Sequence, residues 1–491
     1  LRICENTSVN IHQCQVIENF EGAVCNWGKL EVRDSNLSEN IEENQADMYD
    51  FVGPDFLASY YYSAGAISNR ENAVTMLTNC VINSNYSIHN GALFNAGEMK
   101  IEDTEFDNNT ADRYAVILSP GKIKIINSVF NNNRAENRIG VMYVWDSLYM
   151  DNCIISNNHS NYYAATHFPD SKGYPGQRTS GIQSLGFSIV SSCSFINNNA
   201  NTCHGGALSI MGQAEIKDCV FSGNKGVAPW VDPNEPQSGI VIIFVSKDTD
   251  GAALYVNGSA YVTNCVFNDN HGYKGNTIGV DGTLNMEDCK ITEGHSTIMS
   301  DGAIKVIKGG LLRIKSSLIA NNASPAIQQE EGANTFIEAS TIVNSGSDVF
   351  VFQTEWDNNN PSWININNSI ISGYQSLIRI DSLGYGVEGT FGVEGTITVV
   401  NSLLHSGFES VSLQNLHDEG GNLYDVDPMF VNPTTVLGID ENLSALDADW
   451  RLLPESPCIN AGNATALDLE PTALDLGGEL RVKGCEIDMG A

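Results

Sequence analysis

Side chains able to bind or transform a ligand gather in four stretches of this sequence, at about residues 41–72, 159–181, 225–250 and 353–363. They hold Asp47, Asp50, Asp55 and Tyr60-Tyr61-Tyr62, then Tyr162, Tyr163, His167, Phe168 and Tyr174, then Trp230, Asp232 and Glu235, and last Trp356, Asp357 and Trp363. Aromatic rings bury large flat surfaces against sugars or proteins, and paired carboxylates serve as general acid and base in glycoside cleavage. Tyr61, Tyr162, Tyr163, Tyr174, Trp230, Trp356 and Trp363 are therefore the candidate partner or glycan contacts. Asp248-Thr249-Asp250-Gly251 offers two carboxylates at a glycine turn, which makes Asp248 and Asp250 the candidate Ca²⁺ ligands, since hard cations want several oxygens. A lyase would need a base as well, and Lys172 and Arg178 are the attractive choices. No Ser/His/Asp nucleophile motif, phosphate loop, dinucleotide fingerprint or Cys-x-x-Cys pair occurs, and no catalytic residue is assigned.

What must position these stretches is a repeat. MKIEDTEFDNN (99–109), IKIINSVFNNN (123–133), AEIKDCVFSGN (214–224) and AYVTNCVFNDN (260–270) are versions of one eleven-residue phrase that occurs fourteen times. Its sixth residue is small: Cys14, Ser35, Cys80, Thr104, Ser128, Cys153, Cys193, Cys219, Cys265, Cys289, Ser317, Ser340, Ser369 and Ser402. Three residues before this mark every copy has an aliphatic residue or Met, and two after it Val, Leu, Ile or Phe. Apolar and polar residues alternate within the phrase, which predicts short strands with one buried face. A unit of about 24 residues cannot bury its apolar face alone, so the copies must stack as coils of a solenoid. At about 4.8 Å per strand, fourteen coils predict a rod roughly 65 Å long.

The residue five places after the mark is Asn in ten copies, from Asn19 and Asn40 to Asn322. Asn tolerates the left-handed conformation and can bond to its copy in the next coil, which predicts a structural ladder. Seven cysteines occupy the inward mark, where they read as small hydrophobes and free thiols. The four chemistry-bearing stretches are the places where the coil spacing is broken, and the first three begin directly after the ladder Asn. They are expected to leave the solenoid at one corner.

Charge narrows the partners. With 25 Lys+Arg against 59 Asp+Glu the net charge is −34, which disfavours nucleic acid, whose affinity comes from basic residues displacing counterions. No apolar run is long enough for direct membrane insertion.

The repeat resembles the right-handed parallel β-helix proteins of the pectate-lyase-like superfamily, over about residues 1–410. The resemblance implies an all-β chain, a right-handed parallel β-helix solenoid of about fourteen coils. GGNLYDVDPMFVNP (420–433), DWRLLPESPCINAG (449–462) and DLGGELRVKGCEIDMGA (475–491) resemble the closing segment of large secreted proteins of the choice-of-anchor Q type, with Asn460 and Gly477 in places where Asp is common. That likeness implies a capping segment, residues 411–491, on the C-terminal end of the solenoid. Cys458 and Cys485 both fall in this segment, beside turns, and are expected to form a disulfide. Polygalacturonase-type members carry Asp-Asp, Gly-His-Gly and Arg-Ile-Lys; only Arg313-Ile314-Lys315 is present, and there Ile314 holds an inward position of the repeat.

The chain opens in mid-repeat without a signal peptide and is read as an internal piece of a longer polypeptide. Asn6, Asn36, Asn85, Asn108, Asn158, Asn257, Asn322, Asn367, Asn442 and Asn463 head N-glycosylation sequons. The leading expectation is a structural or adhesive segment of a secreted, extracellular or cell-surface protein or filament, presenting loops to a glycan, partner or neighbouring subunit, with Ca²⁺ the one expected cofactor. The alternative is a carbohydrate-active enzyme of the β-helix type, a polysaccharide lyase or glycoside hydrolase.

Overall fold

The computed structural model describes all residues except 21, 43–63, 89, 113–115, 136–139, 161–180, 202–205, 228–250, 273–275, 297–301, 347, 355–360, 383–394, 406–415, 435–442, 465–473, 483–485 and 491. They form two compact units, Leu1–Tyr255 and Val256–Ala491, each a stack of parallel strands. No helix among the described residues is long and apolar enough to cross a membrane.

In the first unit the coil around Phe106 is typical. Its strands are Leu93–Asn95, Glu98–Glu102, Glu105–Asp107 and Thr110–Ala111. Each pairs in parallel with its copy in the next coil, as Leu93 with Ile117, Ile101 with Ile125, Phe106 with Phe130 and Ala111 with Ala135. Four sheets result, named first to fourth in that order. Because the side-chain period of a strand is two, this register sends both flanking positions of the mark inward along every coil. Val32, Leu77, Ile101, Ile125, Met150, Val190 and Ile216 are all buried, as are Leu37, Ile82, Phe106, Phe130, Ile155, Phe195 and Phe221. Phe106 stacks on Phe130 at 4.6 Å and Phe195 on Phe221 at 4.7 Å, one ring above the next. Ile11 and Val16, in the outermost coil, are only half-buried.

The expected Asn ladder is present and continuous in this unit. The side-chain amide of Asn19 donates to Asn40 Oδ1, and the chain runs on through Asn85, Asn109, Asn133, Asn158 and Asn198 to Asn224 at 2.7–3.0 Å per step. Each Oδ1 also accepts the backbone N–H of the Asn before it, as from Asn109 N to Asn133 Oδ1 at 3.1 Å. The left-handed conformation, however, belongs to the preceding residue: Ser84, Asn108, Asn132, Asn157 and Asn197 have φ of 52–54°. The bend is made one residue early, and the ladder Asn is freed to bond.

The mark residue has a role beyond size. The residue before it is also left-handed, from Asp34 to Asn152, and the mark side chain donates to the carbonyl two residues back: Ser128 Oγ to Ile126 O at 2.8 Å, Thr104 to Glu102 at 2.8 Å, Cys153 Sγ to Asp151 at 3.3 Å. Cys, Ser and Thr share a small side chain with a donor one atom beyond Cβ, which the hydrophobic reading of the cysteines missed.

The second unit continues the first three strands of this coil around Phe267, Ile291, Ile319, Ile342, Ile371 and Leu404, all buried, while the fourth sheet, among the described residues, ends at His295–Ser296. Here Ser317, Ser340, Ser369 and Ser402 form their own ladder, each hydroxyl accepting the backbone N–H of the previous mark at 3.0–3.2 Å. Residues 416–490 do not simply close the end. Leu416–Asp418 and Leu423–Tyr424 add the last parallel strands of the second and third sheets, and described residues beyond them bury the outer face of the third sheet: Leu318, Ala320 and Val343 pack with Ala445, Phe430 and Trp450, and Ile370 and Leu403 with Cys458 and Met489. Arg481 is buried there and donates to the carbonyls of Ala339 and Gly490. The C-terminal segment thus covers a flank of the solenoid as well as adding to the last coil.

Asn133→Ala should cost roughly 3 kcal/mol or more, because it strands the Asn109 N–H and amide and the Phe106 carbonyl in a dry interior. Half-exposed Asn131→Ala should cost about 1 kcal/mol or less. Urea denaturation followed by circular dichroism checks the contrast, and equal midpoints for the two variants would show that the ladder is not a principal support.

Candidate functional site

Of the sequence-predicted contacts, Tyr61, Tyr162, Tyr163, Tyr174, Trp230 and Trp356 lie outside the described residues, as do the Ca²⁺ candidates Asp248 and Asp250 and the candidate bases Lys172 and Arg178. The flanks of three inserted stretches are described. Glu42 and Ala64, Ser160 and Gly181, and Val227 and Gly251 each bracket the passage from a fourth-sheet strand to the first-sheet strand of the next coil. These stretches therefore depart at one corner of the first unit, as expected, and the pairing of Val24 with Ile67 shows that 43–63 is inserted without breaking the stack.

Trp363 is 49% exposed on the second sheet of the second unit, and it has company. Tyr261, Asn285, Arg313, Phe336 and Asn365 form one outward column, each paired with the next in register, and Trp363 stands in the adjoining column beside Asn334. Tyr261 is 61% and Phe336 40% exposed. Arg313 lies over the Phe336 ring at 5.5 Å, a cation–π contact that holds both side chains in place. Lys315 pairs with Glu287 at 3.3 Å, and Ile314 is buried. Arg313-Ile314-Lys315 is thus ordinary strand alternation, as its place in the repeat implied. Tyr261 and Phe336 were missed because each looks like a lone surface aromatic until the coils are registered.

A second cluster was also missed. His271 and His295 stand directly opposite each other in adjacent fourth-sheet strands, His271–Gly272 and His295–Ser296, with rings stacked at 4.2 Å and 7°. Both Nε2 atoms reach the same Oδ1 of Asp269, at 3.0 and 3.1 Å. The three donor atoms lie within 4.8 Å of one another, and all three residues are half-buried. Partial burial, with His271 alongside, holds the pKa of His295 below its usual value, against the pull of Asp269 and Glu293. Two imidazoles and a carboxylate can share protons or coordinate a metal ion. The signal was present in the alignment: both His residues sit six places after their marks, in NDNHG and TEGHS.

The thiols are placed more simply. Cys80, Cys153, Cys193, Cys219, Cys265 and Cys289 are buried thiols, as expected of the ladder, and the thiols of Cys4, Cys14 and Cys25 are at least partly exposed. Cys458 is also a buried free thiol, which corrects the expected disulfide with Cys485, a residue outside the described set. Its side chain is committed to the apolar cluster with Ile370, Leu403 and Met489. Three of the sequons are corrected too. Asn85, Asn158 and Asn322 are fully buried, with amide nitrogens donating within the stack, so no glycan fits there in the folded chain. Asn6, Asn108 and Asn257 are exposed, Asn36, Asn367 and Asn463 half-buried, and Asn442 undescribed.

Residues 64–241 match the family model for a right handed beta helix region. The repeat is a right-handed parallel β-helix. The matched residues include the coils marked by Cys80 through Cys219, and the second-sheet strands of the second unit stack in the same parallel register. No curated protein matches the chain.

Burial in the β-helix sets thiol chemistry. It pushes Cys289 and Cys458 up to about 12, chiefly by desolvation, and their neutral thiols are poor nucleophiles. Iodoacetamide at pH 8 should label Cys4 and Cys14 on the native protein and spare Cys289 and Cys458 until denaturant is added, as read by peptide mass spectrometry. Below pH 9 the folded and unfolded chains both hold these protons; from there to about 12 only the unfolded chain releases them, so each buried thiol subtracts stability as the pH rises through that window. Rapid native alkylation of Cys458 would show that the cover over the third sheet opens.

Proposed function

We propose that this chain is a secreted structural or adhesive β-helix of the cell surface that holds an extended neutral glycan along the second-sheet face of its second unit. The observation carrying this reading is the outward series Tyr261, Arg313, Phe336 and Trp363 on one flat strand surface. At the strand spacing of about 4.8 Å, Tyr261 and Phe336 are roughly 14 Å apart, with Trp363 one coil further on. Exposed rings at intervals on a rigid plane suit the apolar faces of successive sugars, while Asn285, Asn334, Asn365 and Arg313 supply hydrogen-bond partners for hydroxyls between them. The net charge of −34 disfavours an acidic polymer. Secretion is supported by the likeness of residues 420–491 to the closing segments of choice-of-anchor Q proteins. The inserted stretches of the first unit would then face a partner or neighbouring subunit independently of the glycan.

Affinity electrophoresis against neutral β-glucan, mannan and xylan, with polygalacturonate as the acidic control, tests the reading. One neutral polymer should retard the protein, and Tyr261→Ala combined with Trp363→Ala should weaken binding by at least about tenfold at unchanged melting temperature. No retardation by any neutral polymer, or equal retardation of the double variant, would refute it. Release of reducing or unsaturated ends from the bound polymer would favour the enzyme alternative.

A further inference from the structure

We infer that Asp269, His271 and His295 form a binding site for a divalent first-row transition metal ion, with Zn²⁺ as its probe ligand. The inference is independent of the glycan reading.

The fold assembles the three donors from two coils and fixes each by backbone geometry. Asp269 occupies the left-handed bend with φ 52°, its N–H bonded to Thr292 O at 3.1 Å. His271 follows two residues later, at the start of its strand, and His295 enters the same position one coil on, its N–H bonded to Asn270 O at 3.0 Å. The Cα positions of the ligand set are therefore held by backbone hydrogen bonds between the coils, which is the pre-organisation a metal site requires.

The donor chemistry suits a borderline cation. Imidazole nitrogen binds Zn²⁺ at about 2.0–2.1 Å and carboxylate oxygen at about 2.0–2.2 Å, so tetrahedral donors stand roughly 3.4 Å apart. Both Nε2 atoms already lie 3.0 and 3.1 Å from Asp269 Oδ1. Nε2 now donates to the carboxylate in each ring; on coordination the neutral rings would carry their proton on Nδ1, and each would tilt about its Cβ–Cγ bond out of the parallel stack so that both lone pairs meet one ion. Three protein ligands leave the remaining position to water, the composition of an open rather than a closed zinc site. Two nitrogens and one oxygen favour Zn²⁺, Cu²⁺ or Ni²⁺ over Ca²⁺, which seeks six or more oxygens. Glu293, a further charged group near His295, accepts the backbone N–H of Ala445 at 2.9 Å and adds negative potential.

Calorimetric titration of chelator-treated protein with ZnCl₂ at pH 7.5 tests the site, using wild type, Asp269→Asn, His295→Asn and the double variant His271→Ala/His295→Ala. The expected result is one Zn²⁺ per chain with Kd on the order of 10 µM or tighter, weakened at least about tenfold in each variant. Substitution by Co²⁺ should give a visible spectrum without a thiolate charge-transfer band, which separates this site from the exposed Cys4 and Cys14. Asp269→Asn keeps a residue that accepts the left-handed bend, so it reports on ligation even where the double variant fails to fold. Absence of saturable binding to wild type, equal affinity in wild type and Asp269→Asn, or a thiolate band in the Co²⁺ spectrum would overturn the assignment.

Discussion

The first unit depends on one bond, repeated: a side-chain amide donating to the carbonyl oxygen of its own copy in the next coil. In the first unit eight asparagines are joined this way without a break. The bend they occupy leaves backbone N–H and C=O groups inside the wall, where water is excluded and an unmet group costs about 1–3 kcal/mol. Asn answers both needs, since its oxygen takes the N–H from one side while its nitrogen reaches a carbonyl, as Asn133 reaches that of Phe106 at 2.9 Å. Apolar stacking drives the coils together, but it is indifferent to small slips along the strand. The amide ladder is not, and this fixes the register of the first unit; in the second, the hydroxyls of Ser317, Ser340, Ser369 and Ser402 take the backbone N–H groups of the preceding marks.

The parts of this arrangement legible in the sequence were those with strong local pattern. Alternation and the invariant inward residues gave the strands and the core, and in every coil but the outermost the predicted inward residues on both sides of the mark are buried. Two physical points escaped. The mark residue was weighed for size alone, although Cys153 and Ser128 make the same bond to the carbonyl two residues back. The second was the flank cover. From residue 318 the phrase stops alternating, as LIA (318–320), TIV (341–343) and IIS (370–372) show, and strands apolar on both faces are covered on both faces. The change was readable, but its partner lies far away in sequence, 142 residues for Arg481 and Ala339 and 152 for Ala445 and Glu293, and no periodicity points to it.

The candidate sites follow a similar division. The long stretches drew attention because loops on a rigid scaffold often carry function, yet the best-defined groups sit on the strands themselves. His271 and His295 are separated by one repeat and are unremarkable singly; opposition in the fourth sheet turns them into a pair with a shared carboxylate. Tyr261, Arg313 and Phe336 become a surface by the same operation. In a registered solenoid, residues one period apart are neighbours at about 4.8 Å, so sequence distance measured in residues misleads while distance measured in coils does not.

This geometry also explains why function can be carried on the outward positions without cost to the fold. The inward positions and the two bends are committed to packing and to buried hydrogen bonds, and a substitution there strands partners in several coils at once. An outward residue touches mainly its copies above and below, where the side-chain pairs contribute only a few tenths to about 1 kcal/mol. The column that reads Glu31, Met76, Lys100, Lys124 and Tyr149 in the first unit can therefore read Tyr261, Asn285, Arg313 and Phe336 in the second with the same backbone beneath it. The core specifies where a side chain will stand, the outward sequence specifies what stands there, and the two vary almost independently. A fold with that separation is suited to acquiring a binding face or a metal site one coil at a time.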